Sequence, residues 1–578
     1  MLLTHPSVCQ RYGGLSIMGE IKVKALEANY ANPPALDRHG RWMGVEGFDT
    51  SHFPSHAWDE TAGPDPNDYD SDGDDDDDLD PDLDLSPQPH VAVPRKALDY
   101  VMSHMVIIVP CKNEPTEIIE KVLSFIPPAC MVILVSNSTR LAPGQSRASA
   151  HGCPYSNAAD GHANGRVFAE SQIKDKYLEE RNMLRRFCRE GRRPAVAIHQ
   201  RDPGAAEAFN VAGMPEVLVG RENDLRFRDG KGEGMLLGVA LAAALCPERK
   251  YVGFIDADNR VPGAVEEYCR AYAAGFAMYP SEEHVMVRIH WDSKPKGGEN
   301  GEIEFVSEGR SSKVVNAWLN KLLARLAQSP SSSESSCGSH LSQQSDIDGF
   351  LVTGNAGEHA MTMRLAMQLR VASGYAIEPF HYLDLLERLG GPQSGDNDSD
   401  SDDPARIFPF RHHRKLSSAR ILQIRTSNPH IHRSSDDSHI RRMRTAALGA
   451  IYHHLPLLPL LASGSRTSNY SVQKHYSGKT RRTPASAFAQ EILKYVAENE
   501  VEEDSLDAGA MEGQKTSAPE LPRPHIYPSM ARLNMGILGA VVREHSLSLR
   551  RYRFPRELTP ETTRVATPEL TQEDTTMM

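Results

Sequence analysis

Three stretches of this 578-residue chain predict an α/β fold, a largely parallel sheet flanked by helices. Met105 to Val109 (MVIIV) and Met131 to Val135 (MVILV) are continuous apolar runs, the pattern of strands buried on both faces. Between them Ile118, Ile119, Val122, Leu123 and Ile126 fall at helical spacing, so strand, helix and strand close one parallel βαβ unit. Tyr251 to Ile255 reads as a third buried strand, followed at once by Asp256-Ala257-Asp258-Asn259. Proline at Pro262 and the acids Glu266 and Glu267 mark the start of the next helix.

Composition narrows the function classes. The formal charge is −13, and much of it lies in the run Asp65 to Asp84, so no basic face offers itself to nucleic acid. The eight cysteines (Cys9, Cys111, Cys130, Cys153, Cys188, Cys246, Cys269, Cys337) have no CxxC pairing or metal-ligand spacing and read as reduced, intracellular thiols. No apolar run approaches the roughly 20 residues of a membrane span. The longest, Leu455 to Ala462, contains two prolines. Early His5, Pro6 and Arg11 interrupt any secretory leader. A soluble cytoplasmic protein without nucleic-acid or membrane partners is expected.

Taken in order, residues 13–26 alternate well enough for one or two strands, whereas 64–89 is acidic and proline-rich and cannot support a core. After the two apolar strands come the polar turns Cys111-Lys112-Asn113-Glu114 and Ser136-Asn137-Ser138-Thr139, both at one sheet edge. Residues 141–166 are an excursion, 168–190 a charged helix, and Ala195 to His199 a short strand; 211–214 and 216–219 read as irregular. Gly230-Lys231-Gly232-Glu233-Gly234 then enters the alanine-rich helix Leu236 to Leu245. Glycines around a lysine before a helix let backbone approach an anion, although the spacing is not that of a Walker loop.

Beyond the aspartates, Val285 to Trp291 and Ile303 to Arg310 have β character and Asn316 to Leu326 is an amphipathic helix. A serine-rich insert (328–347) precedes Thr353-Gly354-Asn355-Ala356-Gly357-Glu358, read as a turn leading into a Met- and Leu-rich helix. Tyr375 to Leu389 is helical, 391–404 is a second acidic insert, and Ile421 to Ile424 is strand-like. His430 and His432, at i and i+2 of an extended segment, point the same way and suit metal or phosphate contact. Residues 437–463 and 485–499 look helical, 500–523 is a linker, 525–554 adds a last helix, and the tail from Pro555 is loose.

Asp256 and Asp258 are two hard oxygen donors at a strand's carboxyl end, where open α/β sheets bind ligands. They suit a hydrated divalent cation that holds phosphate oxygens. Alone, the same residues would serve as a helix cap and a solvated loop, and the glycine-lysine loop would be an ordinary helix entry.

Together, VPCKNE (109–114), LVSNST (134–139), GKGEGM (230–235), GFIDADNRVPGAVEEY (253–268), VTGNAGEHAMT (352–362) and QIRTSNPHIH (423–432) resemble the mannosyl-3-phosphoglycerate synthase family over roughly residues 102–445. The resemblance implies a GT-A-like nucleotide-sugar-binding α/β domain with a fused acceptor-binding portion. It implies GDP-mannose as donor, 3-phosphoglycerate as acceptor, a divalent metal such as Mg2+, and a mannosyl product of retained configuration, a step of mannosylglycerate biosynthesis. Position by position, Pro110, Lys112, Asn113, Glu114 and Ser136 would line the guanosine side, and Lys231, Asp256 and Ala257 the donor phosphates. Lys231, Asp256 and Asp258 would carry catalysis, while Asp258 with His430 or His432 would hold the metal. Thr353, Gly354 and Asn355 would contact the acceptor, with Arg288, Arg310 and Arg425 as alternatives for its phosphate.

The expected organisation is an N-terminal segment with possible strands (1–61), an acidic disordered region (62–100), a nucleotide-sugar-binding α/β domain (101–280), an acceptor-binding and metal-completing portion with inserts at 328–347 and 391–404 (281–500), and a linker with helix and loose tail (501–578). A homo-oligomer is left open. Rival readings are a glycosyltransferase acting on another acceptor such as free glycerate, an inactive relative serving as a binding scaffold, and a nucleotide-sugar pyrophosphorylase. The last would need a glycine-rich basic loop after the first apolar strand, which VPCKNE is not.

Overall fold

The computed structural model describes residues 1–6, 8–25, 90–140, 175–191, 193–221, 225–291, 294–297, 303–306, 309–327, 349–390, 416–431, 437–458, 484–499 and 520–552. The acidic run 64–89, the excursion 141–166, the inserts 328–347 and 391–404, most of the linker, the tail and His432 lie outside these residues.

Twelve strands form one sheet: β1 (Leu2–Thr4), β2 (Cys9–Tyr12), β3 (Leu15–Ala25), β4 (His90–Ala92), β5 (Met105–Cys111), β6 (Met131–Ser136), β7 (Ala195–His199), β8 (Tyr251–Phe254), β9 (Val285–Trp291), β10 (His359–Thr362), β11 (Ala419–Thr426) and β12 (Arg550–Tyr552). Their order is β12-β7-β6-β5-β8-β10-β9-β11-β3-β1-β4, with β2 beside β3. β5, β6, β7 and β8 are mutually parallel. β10 runs antiparallel to both β8 and β9, and β9, β11 and β3 are parallel again. The α/β expectation therefore holds, and the N-terminal strands extend the same sheet beyond β11.

Alternation along β5 explains its unbroken apolar run. Val106 and Ile108 face one core with helix α5 (Lys231–Leu245), while Met105, Ile107 and Val109 face the other with α1 (Arg95–Ser103) and α6 (Pro262–Met278). Helix α5 lies so close that a side chain at Gly238 would come within 2.6 Å of Ile108.

Two elements differ from the expectation. His359–Thr362 is a central strand, not the turn expected there, because its four residues are too few to display a period. Helix α4 (Pro203–Ala212) is a helix ahead of the segment read as irregular. It starts at the Asp202 cap, which accepts from the Ala205 amide at 2.8 Å. The C-terminal segment adds more than a helix. Beside α12 (Met535–His545) it supplies Ile526–Tyr527, paired with Val371–Ala372, and the edge strand β12.

Among the described residues no helix is long and apolar enough to cross a membrane. The six described cysteines are free thiols.

Helices α4 and α12 meet at Gly204, where a Cβ would lie 2.2 Å from the His545 carbonyl oxygen. Backbone cannot swing aside as a side-chain tip does, so Gly204→Ala should cost about 1–3 kcal/mol in urea unfolding. A change near zero would mean that α12 is not seated as described.

Candidate active site

The chain order reverses between β5 and β8: β5 is followed on one side by β6 and β7, and on the other by β8. In open α/β sheets ligands bind outside the carboxyl strand ends at such a point. The turns after β5, β6, β8 and β11 share that edge. Because β10 is antiparallel, the loop that precedes it, 353–358, falls there too. Five of the six motifs thus converge through strand direction, and the sixth enters through α5.

Lys231 opens α5 and is the hub. Its Nζ lies 2.9 Å from Asp256 Oδ1 and 3.0 Å from Glu378 Oε1. Burial disfavours the ammonium, but Asp256, Glu378 and Glu358 more than offset it and hold Lys231 well above its usual range. Neither glutamate was singled out from sequence. Glu378 sits in the first turn of α9 (Ile377–Leu389), and Glu358 precedes β10, so neither shows a local signal of its partner. Gly357 lets the two loops close, since a Cβ there would stand 2.8 Å from Asp256 Oδ2 and 2.9 Å from Lys231 Nζ.

Glu358 is buried, and its Oε1 has no hydrogen-bond partner among the described residues. Burial, then the Asp256 carboxylate, push its acid up to about 8, with Lys231 pulling the other way.

In the turn after β5, Asn113 takes a left-handed backbone (φ 64°), which asparagine tolerates better than most residues. Its N–H donates to Ser138 Oγ at 2.7 Å, and its Oδ1 accepts from the Thr139 amide at 2.8 Å, tying the β5 and β6 turns together. Ser138 Oγ in turn donates to the buried Glu180. Lys112 and Asn113 are exposed, Pro110 and Glu114 are partly so, and the Lys112 amide donates to Glu114. Ser136 is fully buried: its hydroxyl accepts from the Ser138 amide at 3.2 Å, so it supports the turn from beneath. Ala257 is likewise buried.

Beside Asp258, helix α6 joins the aspartate loop to the histidine loop. Glu267 accepts from the Ser427 and Asn428 amides at 2.7 and 2.9 Å, and the Arg260 amide donates to Ile431 O at 2.8 Å. His430 stacks on Trp291 at 5.1 Å and is fixed through Nδ1, 3.0 Å from the Tyr268 hydroxyl. Among the described residues no three acidic, His or Cys groups converge as a complete metal cage. Asp258 and His430 sit on loops stitched to each other through Arg260 and Ile431.

The 353–356 loop is braced. Thr353 Oγ1 lies 2.7 Å from Tyr382 Oη and donates to Gln423 Oε1 at 2.9 Å, and the Gly354 amide donates to Asn316 Oδ1 at 2.7 Å. Of the three residues, Asn355 is only partly buried. Arg288 is fully buried and donates to Thr353 O at 2.9 Å and Ala356 O at 3.2 Å, so it holds this loop from below. Arg310 pairs with the exposed Asp437, and Arg425 lies 3.7 Å from Glu20.

Residues 77–542 match the family model described as mannosyl-3-phosphoglycerate synthase (osmo_MPGsynth). The chain belongs to the mannosyl-3-phosphoglycerate synthase family. It is 36% identical to the mannosyl-3-phosphoglycerate synthase of Pyrococcus furiosus over 361 residues, 62% of this chain and 74% of that protein. Identity to the Aeropyrum pernix protein of the same name is 31% over 365 residues, 63% and 76% of the two chains. A solved mannosyl-3-phosphoglycerate synthase from Rubrobacter xylanophilus superposes with a TM-score of 0.34 at 14% identity, over 62% of this chain and 77% of that one. Membership of the synthase family, and with it the glycosyltransferase class of enzyme, rests on the sequence matches. Every motif of the site lies within the matched span.

The raised Glu358 gives a pH test. Its native value of about 8, against the ordinary 4.5, means that the folded protein binds an extra proton between those values. Stability should therefore fall as pH rises from about 4.5 to 8. Glu358→Gln, neutral throughout, should be flatter, narrowing its deficit to the parent by on the order of 1 kcal/mol or more between pH 5.5 and 8.5 in urea unfolding. Parallel curves would place an ionised carboxylate at Glu358 across the whole range.

Proposed function

We propose that this member of the synthase family transfers mannose from GDP-mannose to 3-phosphoglycerate with retention of anomeric configuration. The observation that carries the reading is Lys231, a partly buried cation held between Asp256 and Glu378 where the chain order of the sheet reverses. A diphosphate leaving group gains negative charge as its bond to the sugar breaks, and a fixed cation in a water-poor site stabilises it most. The exposed Lys112 and Asn113 edge would receive the nucleoside, and the braced 353–355 loop the acceptor. Retention by front-side attack requires the acceptor hydroxyl oxygen to bond to the sugar's anomeric carbon on the face the diphosphate leaves. The hydroxyl proton passes to the departing phosphate oxygen, so the reaction balances without a protein nucleophile.

The residues present fit a divalent cation: Asp258 offers a hard oxygen and His430 an imidazole nitrogen, with Tyr268 setting the ring as a partner behind a ligand does. When bound, such an ion, Mg2+ or a similar metal, would supply Lewis-acid neutralisation of the diphosphate. His430 Nδ1 lies 3.5 Å from the side-chain amide of Asn259, the residue after Asp258. Specificity for the phosphorylated acceptor follows from the same logic, since donors set for a phosphate are left unpaired by glycerate.

The test is release of GDP from a panel of nucleotide sugars with and without 3-phosphoglycerate or glycerate, in metal and in chelator. GDP-mannose with 3-phosphoglycerate should be preferred, and chelator should stop turnover. Asp258→Ala should abolish activity in a folded protein, and Lys231→Ala should lower kcat by roughly 10² to 10³. Equal use of glycerate would overturn the acceptor, and full activity in chelator would overturn the role of the metal.

A further inference from the structure

Glu233 stands two residues after Lys231 and is almost wholly buried. Its carboxylate is divided between two remote pieces of chain. Oε1 accepts from the Tyr527 hydroxyl at 2.6 Å, and Oε2 accepts from the Gly374 amide at 3.0 Å. Gly374 begins the short turn Gly374–Ala376 that runs directly into α9, where Glu378 pairs with Lys231. One carboxylate therefore staples both segments that carry the ion pair: the first turn of α5 and the entry to α9.

Tyr527 is fully buried in a strand that pairs with Val371–Ala372, and Ser373 and His525 exchange further bonds beside it: Ser373 N to His525 O at 2.9 Å, and His525 N to Ser373 Oγ at 3.0 Å. The fit leaves no slack. A Cβ at Gly232 would stand 2.2 Å from the Ala372 carbonyl oxygen, and one at Gly230 would stand 2.1 Å from Glu233 Oε2.

We infer that Glu233 and Tyr527 form a latch that positions Lys231, making the C-terminal segment 520–552 part of the donor site. This rests on Lys231 contacting the donor diphosphate. The pair touches no substrate and acts through the lysine. Loss of one bond to the carboxylate lets the first turn of α5 shift against α9, and Lys231 then meets the leaving group at the wrong place.

The test is a double-mutant cycle on the full-length protein, with Tyr527→Phe and Lys231→Ala. The readouts are kcat, KM for each substrate, and calorimetric binding of GDP and of guanosine. Tyr527→Phe should lower kcat and weaken GDP binding by roughly tenfold, the scale of one hydrogen bond to a charged group, and leave guanosine binding and the acceptor KM alone. In the Lys231→Ala background it should have almost no further effect. Glu233→Gln, which cannot accept from both donors in the same way, should behave like Tyr527→Phe, and it serves if the phenylalanine variant does not fold. If Lys231→Ala does not fold, Lys231→Gln closes the same cycle. Additive effects, or equal weakening of GDP and guanosine binding, would reduce the latch to a structural contact and overturn the inference. Normal GDP binding in Lys231→Ala would instead overturn the reading of Lys231 itself, so the two failures are distinct.

Discussion

A single ammonium surrounded by carboxylates organises this end of the molecule. Lys231 sits between Asp256 and Glu378, with Glu358 adding to the field, and each acid arrives on a different element. A partly buried cation without acids nearby, or the buried Glu378 and Glu358 without the cation, would leave charge poorly solvated and unpaired. The α5 N-terminus, the β8 turn, the loop before β10 and the α9 entry are therefore constrained to meet at one point. The acids outnumber the lysine, and a raised Glu358 is one local answer to that excess. A cation at Asp258 and His430 would be another.

The supports behind the site are as specific as the site. Asn113 and Ser138 knit two strand turns over the buried Glu180. Arg288 spends its guanidinium on the carbonyls of Thr353 and Ala356 and stacks against the Tyr382 ring at 4.9 Å. Gln423 reaches from β11 to the same loop, accepting from the Val352 amide at 2.8 Å and the Thr353 hydroxyl at 2.9 Å. Several residues read from sequence as ligand contacts, Ser136, Thr353 and Arg288 among them, have their polar atoms engaged within the protein. They shape loops whose outer members are the exposed Lys112 and Asn113 and the partly buried Asn355.

The C-terminal segment has the same character. It supplies an edge strand to β7, a helix packed on α4, and the Tyr527 hydroxyl to Glu233. Its helix was legible from composition, but its reach into the lysine loop was not, because residues 233 and 527 are 294 positions apart and neither shows a local pattern for that bond.

Sequence alone determined the α/β class, the buried strands β5, β6 and β8, and the family, because unbroken apolar runs report burial on two faces and six ordered motifs exceed chance. It also placed the twin aspartates at the carboxyl edge of the sheet, where the turn after a parallel strand must emerge, and Lys231 at a helix entry. Only the tertiary structure decided which carboxylates surround Lys231 and that the 353–358 loop reaches the same edge. That loop is there because His359–Thr362 enters the sheet antiparallel between β8 and β9. Strand direction is a property of pairing across the sheet, and a four-residue strand carries no periodic signal from which it could be read.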